Sequence, residues 1–137
     1  MKVYLSVPMV ANRALSRAKI IAKAIEDSGN EITSPWVLGP LEKSGPTVVN
    51  VFRRDKDGAE RCDILVADVS LPSIGVGMEI MAAYKAKRRI ILVMKRGNIT
   101  SRMLQHMDGK EVVEFEADDE IYGALVSKLG DRGSTAI

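Results

Sequence analysis

Glu79 is the residue whose surroundings most clearly suit chemistry at a carbon centre. It closes the segment Ser-Ile-Gly-Val-Gly-Met-Glu at 73–79, which follows an apolar, strand-like run at 64–67. Gly75 lets a ligand approach the backbone, and Ser73 adds a hydroxyl beside free N–H groups. We expect Glu79 in the first turn of a helix, where the helix dipole stabilises a carboxylate by about 0.3 to 1 kcal/mol. An ionised carboxylate can act as a nucleophile; an ordinary turn with an acidic cap is the alternative interpretation.

Strands and helices alternate along the chain and must position this glutamate. Apolar and β-branched runs predict strands, and stripes of 3.6-residue period predict helices, the first capped by Asn12 and closed by Gly29. The alternation predicts βαβ units with right-handed crossovers, hence a three-layer α/β sandwich with a five-stranded parallel sheet, flavodoxin/Rossmann-like. The predicted strands are 2–7, 31–33, 64–67, 89–95 and 112–115; the later helices are 47–61, 77–87 and 118–129, with a loop at 34–46 and a frayed tail at 130–137.

The site is expected where the strand order of the sheet reverses. In open α/β sheets, ligands bind outside the carboxyl ends of the strands at that point, here between the first and third strands. Tyr4 and Ser6 lie on the first strand, and Asp68 ends the third. These side chains are therefore expected to lie near Glu79.

Composition bounds the remaining possibilities. With 137 residues, 46% of them hydrophobic, the chain is expected to form one domain, 1–137. A net charge of +2 is too small for a surface that coats nucleic acid and fits a small anionic ligand better. No run approaches about 18 apolar residues and no signal-like start is present, so no membrane partner is predicted and the cytoplasm is the expected location.

Several other chemistries lack their residues. Ile80 stands where a dinucleotide fingerprint needs a third small residue, and the phosphate-loop signature is absent. His106 is the only histidine and lies in a polar stretch, while Cys62 is the only cysteine and is expected in the core. A Ser-His-Asp triad or a metal site is thus not predicted, nor is any cofactor. A receiver domain would need clustered acids after the first strand, which are missing.

Three blocks together resemble the 2'-deoxynucleoside 5'-phosphate N-hydrolases of the nucleoside 2-deoxyribosyltransferase superfamily. They are Val-Tyr-Leu-Ser at 3–6, Arg-Asp at 54–55, and Ala-Asp-Val-Ser-Leu-Pro-Ser-Ile-Gly-Val-Gly-Met-Glu at 67–79. The third block is the specific one, and the other two support it. The resemblance implies hydrolysis of 2'-deoxynucleoside 5'-monophosphates to free base and 2-deoxyribose 5-phosphate.

The resemblance also implies roles for particular residues. Glu79 would attack C1', Tyr4 would orient it, and Asp55 would handle the proton or the base. Ser73 would contact the 5'-phosphate. The family is dimeric, and Ser101 and Met103 would reach the partner's site, Ser101 as a second phosphate contact. The remaining predicted substrate contacts are Ser6, Val7, Pro8, Met9, Val10, Arg13, Asp68 and Gly75.

One stretch departs from the family pattern. The family commonly shows Gly-Ser-Ile-Arg after the first strand, whereas this chain has Val-Pro-Met-Val at 7–10. A phosphate-binding serine and arginine are therefore missing, and Arg13 or the partner's Arg102 are candidates to replace the cation. Asp68 either holds a sugar hydroxyl or caps the following turn. Trp36 either covers the base together with Met9 or anchors its loop.

Two rival functions remain open from the sequence. In a deoxyribosyltransferase, a second base rather than water would accept the sugar from the same intermediate. In a non-catalytic nucleotide-binding module, the sheet and the pocket would persist without turnover, since fold does not guarantee function.

Overall fold

The computed structural model describes residues 1–10, 13–40, 50–98 and 101–131, and it contains a five-stranded parallel sheet. The strand order is β2-β1-β3-β4-β5, so the order reverses between β1 and β3, as predicted. No helix in these ranges is long and apolar enough to cross a membrane. The elements are β1 Lys2–Ser6, α1 Leu15–Asp27, β2 Glu31–Ile32, α2 Val51–Arg61, β3 Ile64–Asp68, α3 Ile74–Lys85, β4 Arg89–Lys95, α4 Arg102–His106, β5 Lys110–Phe115 and α5 Ile121–Asp131.

Helices cover both faces of the sheet, which makes the three-layer sandwich that the sequence predicted. Helices α1 and α5 pack on one face, and α2 and α3 pack on the other. Successive side chains of a strand point to opposite faces. Accordingly, Val3 and Leu5 join the core under α1 and α5, while Tyr4 joins the core under α2 and α3.

The starts of helices α3 and α2 differ from the predictions. Helix α3 begins at Ile74 rather than at residue 77, because Ser73 caps it by accepting a hydrogen bond from the Val76 N–H at 3.3 Å. The helix thus begins three residues earlier than predicted. Helix α2 begins after Asn50, whose side chain accepts from Arg53 N, and residues 41–49 lie outside the described chain.

Smaller differences concern other segments. Helix α1 begins three residues after Asn12, which is itself outside the described residues, and its predicted end is confirmed by Gly29 at φ +81°. A short 3-10 helix, Pro35–Leu38, lies within the predicted loop. The short α4 was not predicted. Another 3-10 turn, Asp118–Glu120, precedes α5, which extends through residues 130–131 where a frayed tail was expected; residues 132–137 are not described.

Arg17 ties the carboxyl end of β3 to the segment before α5. Its Nη1 lies 3.5 Å from Asp68 Oδ2 and its Nε lies 3.1 Å from Asp118 Oδ1. The guanidinium also stacks over the Phe115 ring, 4.9 Å from the centroid. Because the Asp68 side chain is only 4% exposed, removing Arg17 would leave a buried carboxylate without its cation.

We therefore expect Arg17→Met to lower the free energy of unfolding by about 2 kcal/mol, measured by urea denaturation. The control is Lys23→Met on the same helix, which removes an exposed i,i+4 pair with Asp27 and should cost much less. Equal losses of unfolding free energy in the two variants would show that the buried Arg17–Asp68 pair stabilises the fold no more than the exposed Lys23–Asp27 pair.

Candidate active site

Two hydroxyl groups from β1 converge on the carboxylate of Glu79. The Tyr4 phenol donates to Glu79 Oε2, and the Ser6 hydroxyl donates to Oε1 at 2.8 Å. Tyr4 and Ser6 are two residues apart on a strand, so both side chains point to the face of the sheet on which α3 packs. Both oxygens of the carboxylate are thus held, and each keeps a lone pair for other contacts.

Glu79 does not lie in the first turn of its helix, and this prediction was wrong. Since α3 begins at Ile74, Glu79 is in the second turn, and the first turn contains no acidic residue. The dipole effect falls off within the first turn. The two hydroxyl donors, rather than the helix terminus, are therefore what stabilises the ionised form of this carboxylate.

Burial largely determines the protonation states of Tyr4 and Glu79. Burial raises the pKa of Glu79 to about 7, although the hydrogen bonds from Tyr4 and Ser6 pull the pKa in the opposite direction. Burial and the nearby charge of Glu79 raise the pKa of the Tyr4 phenol well above its ordinary value. Tyr4 consequently remains a hydrogen-bond donor, while Glu79 is divided between its acid and its carboxylate near neutral pH.

A second group of side chains, Trp36, Arg54 and Asp55, lies beside this pair. Arg54 Nε donates to Asp55 Oδ1 at 2.8 Å, and its guanidinium stacks 4.0 Å from the Trp36 ring centroid. The Trp36 ring meets the Tyr4 ring edge-on, with centroids 6.2 Å apart. Asp55 acts to raise the pKa of Glu79, and Arg54 acts to lower it. The structure thus places Tyr4 and Asp55 near Glu79, Tyr4 through a hydrogen bond and Asp55 through its charge.

The stretch after β1 is mostly occupied by packing. Val7 and Pro8 are predicted substrate contacts, but both are buried, Val7 within the core. Their side chains are therefore not free to contact a ligand. Met9 is partly buried and Val10 is 43% exposed. Of this stretch, the side chains of Met9 and Val10 remain open to a ligand.

Arg13 is engaged in holding the loop after β2. Its Nη1 donates to the Val37 carbonyl at 3.0 Å and lies 3.0 Å from Met9 Sδ, while its Nη2 donates to the Gly39 carbonyl. This arrangement uses a large part of its donor capacity. Arg13 is therefore a loop-binding residue in this structure, and a phosphate role would need these bonds to rearrange.

The predicted phosphate residues both begin helices. Ser73 caps α3 and Ser101 caps α4 through their hydroxyl oxygens, which leaves each hydroxyl hydrogen free to donate. Gly75 lies in the first turn of α3, and a methyl group added there would meet nothing within 4 Å. Met103 is 75% exposed.

Two roles are predicted for Asp68, and in the structure it has the one of capping the following turn. Its Oδ1 accepts from the Ser70 N–H at 2.9 Å, and its Oδ2 faces Arg17. The carboxylate is buried and both of its oxygens are engaged. Cys62 is buried as predicted, and burial raises the pKa of its thiol to about 11, so it is not a reactive nucleophile at neutral pH.

An apolar groove of about 940 Å³ runs between α3 and α4, away from this group of side chains. Glu79, Tyr4 and Asp55 do not line it, whereas Ser73, Ser101, Met103 and the exposed His106 do. The apolar side chains that form its walls include Ile74, Met78, Met81, Tyr84, Met103 and Leu104.

Two contacts of the site differ from the expectations. Ser6 is expected to contact substrate, whereas its hydroxyl binds Glu79; the i, i+2 spacing from Tyr4 is the signal for this contact. Arg54 is expected only as part of a motif, whereas it links Trp36 to Asp55. No sequence signal predicted that stacking, because Trp36 and Arg54 come from separate elements.

Known proteins with similar sequences include the following two. A protein of Thermofilum pendens is 36% identical over 104 residues, covering 74% of this chain and 73% of its own length. A protein of Methanococcoides burtonii is 30% identical over 110 residues, covering 76% of this chain and 89% of its own. Both carry the name 2'-deoxynucleoside 5'-phosphate N-hydrolase 1. No family model matches the chain.

The solved structures support the fold. The CMP N-glycosidase BcmB of Clostridium botulinum superposes with a TM-score of 0.73, covering 93% of this chain and 99% of its own, at 18% identity. At that identity the likeness concerns the architecture alone.

The raised pKa of Glu79 predicts how stability depends on pH. The folded protein keeps a proton on Glu79 up to pH about 7, whereas the unfolded chain releases it near the ordinary value of 4.5. The stabilisation is present below pH 4.5 and is lost as the pH rises through 7. We expect Glu79→Gln to gain stability over wild type by on the order of 2 kcal/mol between pH 5 and pH 8, measured by urea denaturation.

The exposed change Glu26→Gln in α1 serves as the control for loss of a surface carboxylate. If the Glu79→Gln variant differs from wild type by the same amount at pH 5 and at pH 8, the titration does not occur at Glu79.

Proposed function

Because the chain belongs to the family of 2'-deoxynucleoside 5'-phosphate N-hydrolases, we propose that it hydrolyses the N-glycosidic bond of 2'-deoxynucleoside 5'-monophosphates with Glu79 as the nucleophile. Family membership makes the chain an N-glycosidase. The observation that carries the residue assignment is the convergence of the Tyr4 and Ser6 hydroxyls on a partly buried carboxylate. The products are the free base and 2-deoxyribose 5-phosphate.

The first step forms a covalent intermediate. A Glu79 oxygen bonds to C1' as the bond from C1' to the base nitrogen breaks, and the electron pair of that bond leaves with the base. Tyr4 and Ser6 hold the carboxylate in one orientation, which reduces the entropy lost on reaching the transition state. With a pKa of about 7, a substantial fraction of Glu79 is ionised at neutral pH, and because burial removes water from this carboxylate it is less well solvated than one in water.

Asp55 is the group that we assign to proton transfer. In a retaining mechanism, one carboxyl group protonates the leaving group and then takes a proton from the attacking water. Asp55 lies on α2 beside the pair, and its Oδ1 accepts a hydrogen bond from Arg54 Nε at 2.8 Å, which holds the carboxyl group in place. Water then attacks C1', Glu79 is released, and one water is consumed for each bond cleaved.

The substrate phosphate is assigned to the beginning of α3. The Ser73 hydroxyl hydrogen and the N–H groups of Ile74 and Gly75 at the start of the helix suit a phosphate oxygen, and the helix dipole adds to the attraction. Gly75 leaves this surface open. Met9 and Trp36 are assigned to the apolar wall that covers the base.

The test of this proposal is release of free base from a panel of deoxynucleotides, ribonucleotides and unphosphorylated deoxynucleosides. Wild type should release base from 2'-deoxynucleoside 5'-monophosphates, and Glu79→Gln should lower kcat by about a thousandfold or more. Asp55→Asn should lower kcat by about a hundredfold. The exposed Glu26→Gln is the matched control and should retain wild-type rates.

Three outcomes would overturn parts of the assignment. Full activity in Glu79→Gln would remove the nucleophile. Exchange of the base of a free deoxynucleoside for an added base, with no need for a 5'-phosphate, would indicate a deoxyribosyltransferase. Binding of deoxynucleotides without release of base would indicate a non-catalytic binding module.

We further propose that the protein acts as a homodimer through the groove between α3 and α4. Ile74, Met78 and Met81 recur at helical spacing on one exposed face of α3, and Ile74 is 87% exposed. Exposed apolar patches of this kind mark interaction surfaces. A second copy seated there would carry Ser101 and Met103, which border the same groove as Ser73, toward the partner's substrate.

Sedimentation velocity tests the dimer. Wild type should sediment as a dimer, and Met81→Lys should yield a monomer with reduced hydrolysis, because a charge in the apolar contact is not paired. Ala124→Lys places the same charge on exposed α5 and should leave both properties intact. A wild-type protein that is monomeric at all concentrations would contradict the proposal.

A further inference from the structure

Gly58 in α2 packs directly against the ring of Tyr4. A methyl group built on Gly58 would lie 2.6 Å from Tyr4 Cε2 and 2.9 Å from Cδ2. Both distances are shorter than real contacts of a Cβ atom, so either the ring or the helix would have to move. The ring therefore occupies the space that a side chain at position 58 would fill.

The conformation of Gly58 does not itself require glycine. Gly29, Gly97 and Gly109 have positive φ angles, whereas Gly58 has none and lies inside a regular helix. Glycine at such a position costs about 1 kcal/mol relative to alanine. The contact with Tyr4 is the feature of the described structure that explains why a glycine stands there.

The Tyr4 ring has no easy escape from an added methyl group. Tyr4 is fully buried in the middle of β1, its hydroxyl is bound to Glu79, and its ring meets the Trp36 ring edge-on. If α2 moved instead, it would carry Arg54 and Asp55, which lie one turn earlier on the same helix. Either response changes the geometry around Glu79.

We propose that Gly58 is a positioning residue, whose missing side chain lets the Tyr4 ring lie against α2 and bring its hydroxyl to Glu79. This inference rests on the proposed role of Glu79 as nucleophile. It assigns no contact between Gly58 and substrate: Gly58 acts through Tyr4 alone.

The test compares Gly58→Ala with Gly123→Ala, a matched change in α5 where the added methyl meets nothing within 4 Å. The carboxyl carbon of Glu79 is followed by NMR during a pH titration, and hydrolysis is measured in parallel. In Gly58→Ala we expect the Glu79 titration to move to higher pH, because the Tyr4 bond that favours the ionised form is weakened, and kcat to fall about tenfold or more. Gly123→Ala should leave both unchanged.

A double variant separates positioning from a general disturbance. Tyr4→Phe removes the hydroxyl and should move the titration in the same direction as Gly58→Ala. Adding Gly58→Ala to Tyr4→Phe should then move it no further, since no hydroxyl remains to be displaced. The groups that act on the pKa of Glu79 are the Tyr4 and Ser6 hydroxyls from β1 and the charged side chains of Arg54 and Asp55 from α2. Tyr4→Phe keeps the ring, so a movement of α2 that carries Arg54 and Asp55 would appear as a further shift in the double variant.

The outcomes distinguish this inference from the proposed function. A Glu79 titration that is unmoved in Gly58→Ala, or shifts that add in the double variant, would overturn the positioning role. A shifted titration in a protein that hydrolyses nothing would support the positioning role and refute the proposed reaction. If Gly58→Ala fails to fold, the same change is made in the Tyr4→Ala variant, which lacks the ring. There Gly58→Ala should raise Tm, as Gly123→Ala does in wild type. A lower Tm would contradict the contact between Gly58 and the Tyr4 ring.

Discussion

The constraint on which the site depends is the two-residue period of β1. Because Tyr4 and Ser6 point to the same face of the sheet, two hydroxyl groups are delivered to one carboxylate carried by α3. Neither residue can be moved along the strand by one position without turning toward α1. The position of Glu79 in the second turn of α3 then follows from Ser73, which fixes where that helix starts.

The balance between burial and hydrogen bonding determines the chemistry of Glu79. Burial alone would favour the uncharged acid, and the two hydroxyl donors partly restore the ionised form, so the pKa settles at about 7. Above neutral pH, the buried charge of Glu79 destabilises the folded state. Groups whose pKa lies near the working pH are typical of catalytic sites, because both protonation states are accessible during a cycle.

The sequence predicted the five strands, their order reversal and the nearness of Tyr4 to Glu79, because hydrophobic period and strand ends are local signals. The place of Asp55 beside them was implied by the family resemblance and not by these signals. The start of α3 was misplaced because Gly75 suggested a turn, whereas the Ser73 cap begins the helix at Ile74. The stacking of Arg54 on Trp36 and the contact of Gly58 with Tyr4 were not predictable, since each depends on how α2 sits against the sheet. The loop-binding role of Arg13 depends likewise on carbonyl groups far along the chain.

The most direct measurement is capture of the glycosyl enzyme. A 2'-deoxy-2'-fluoroarabinonucleoside 5'-monophosphate slows both steps by destabilising the oxocarbenium-like transition state, so an intermediate can accumulate. Mass spectrometry of the protein and its peptides should then locate one fluorinated sugar phosphate, bound as an ester to Glu79. A label on another residue, or base release from this analogue with no covalent adduct at any time, would contradict the assignment of Glu79 as the nucleophile.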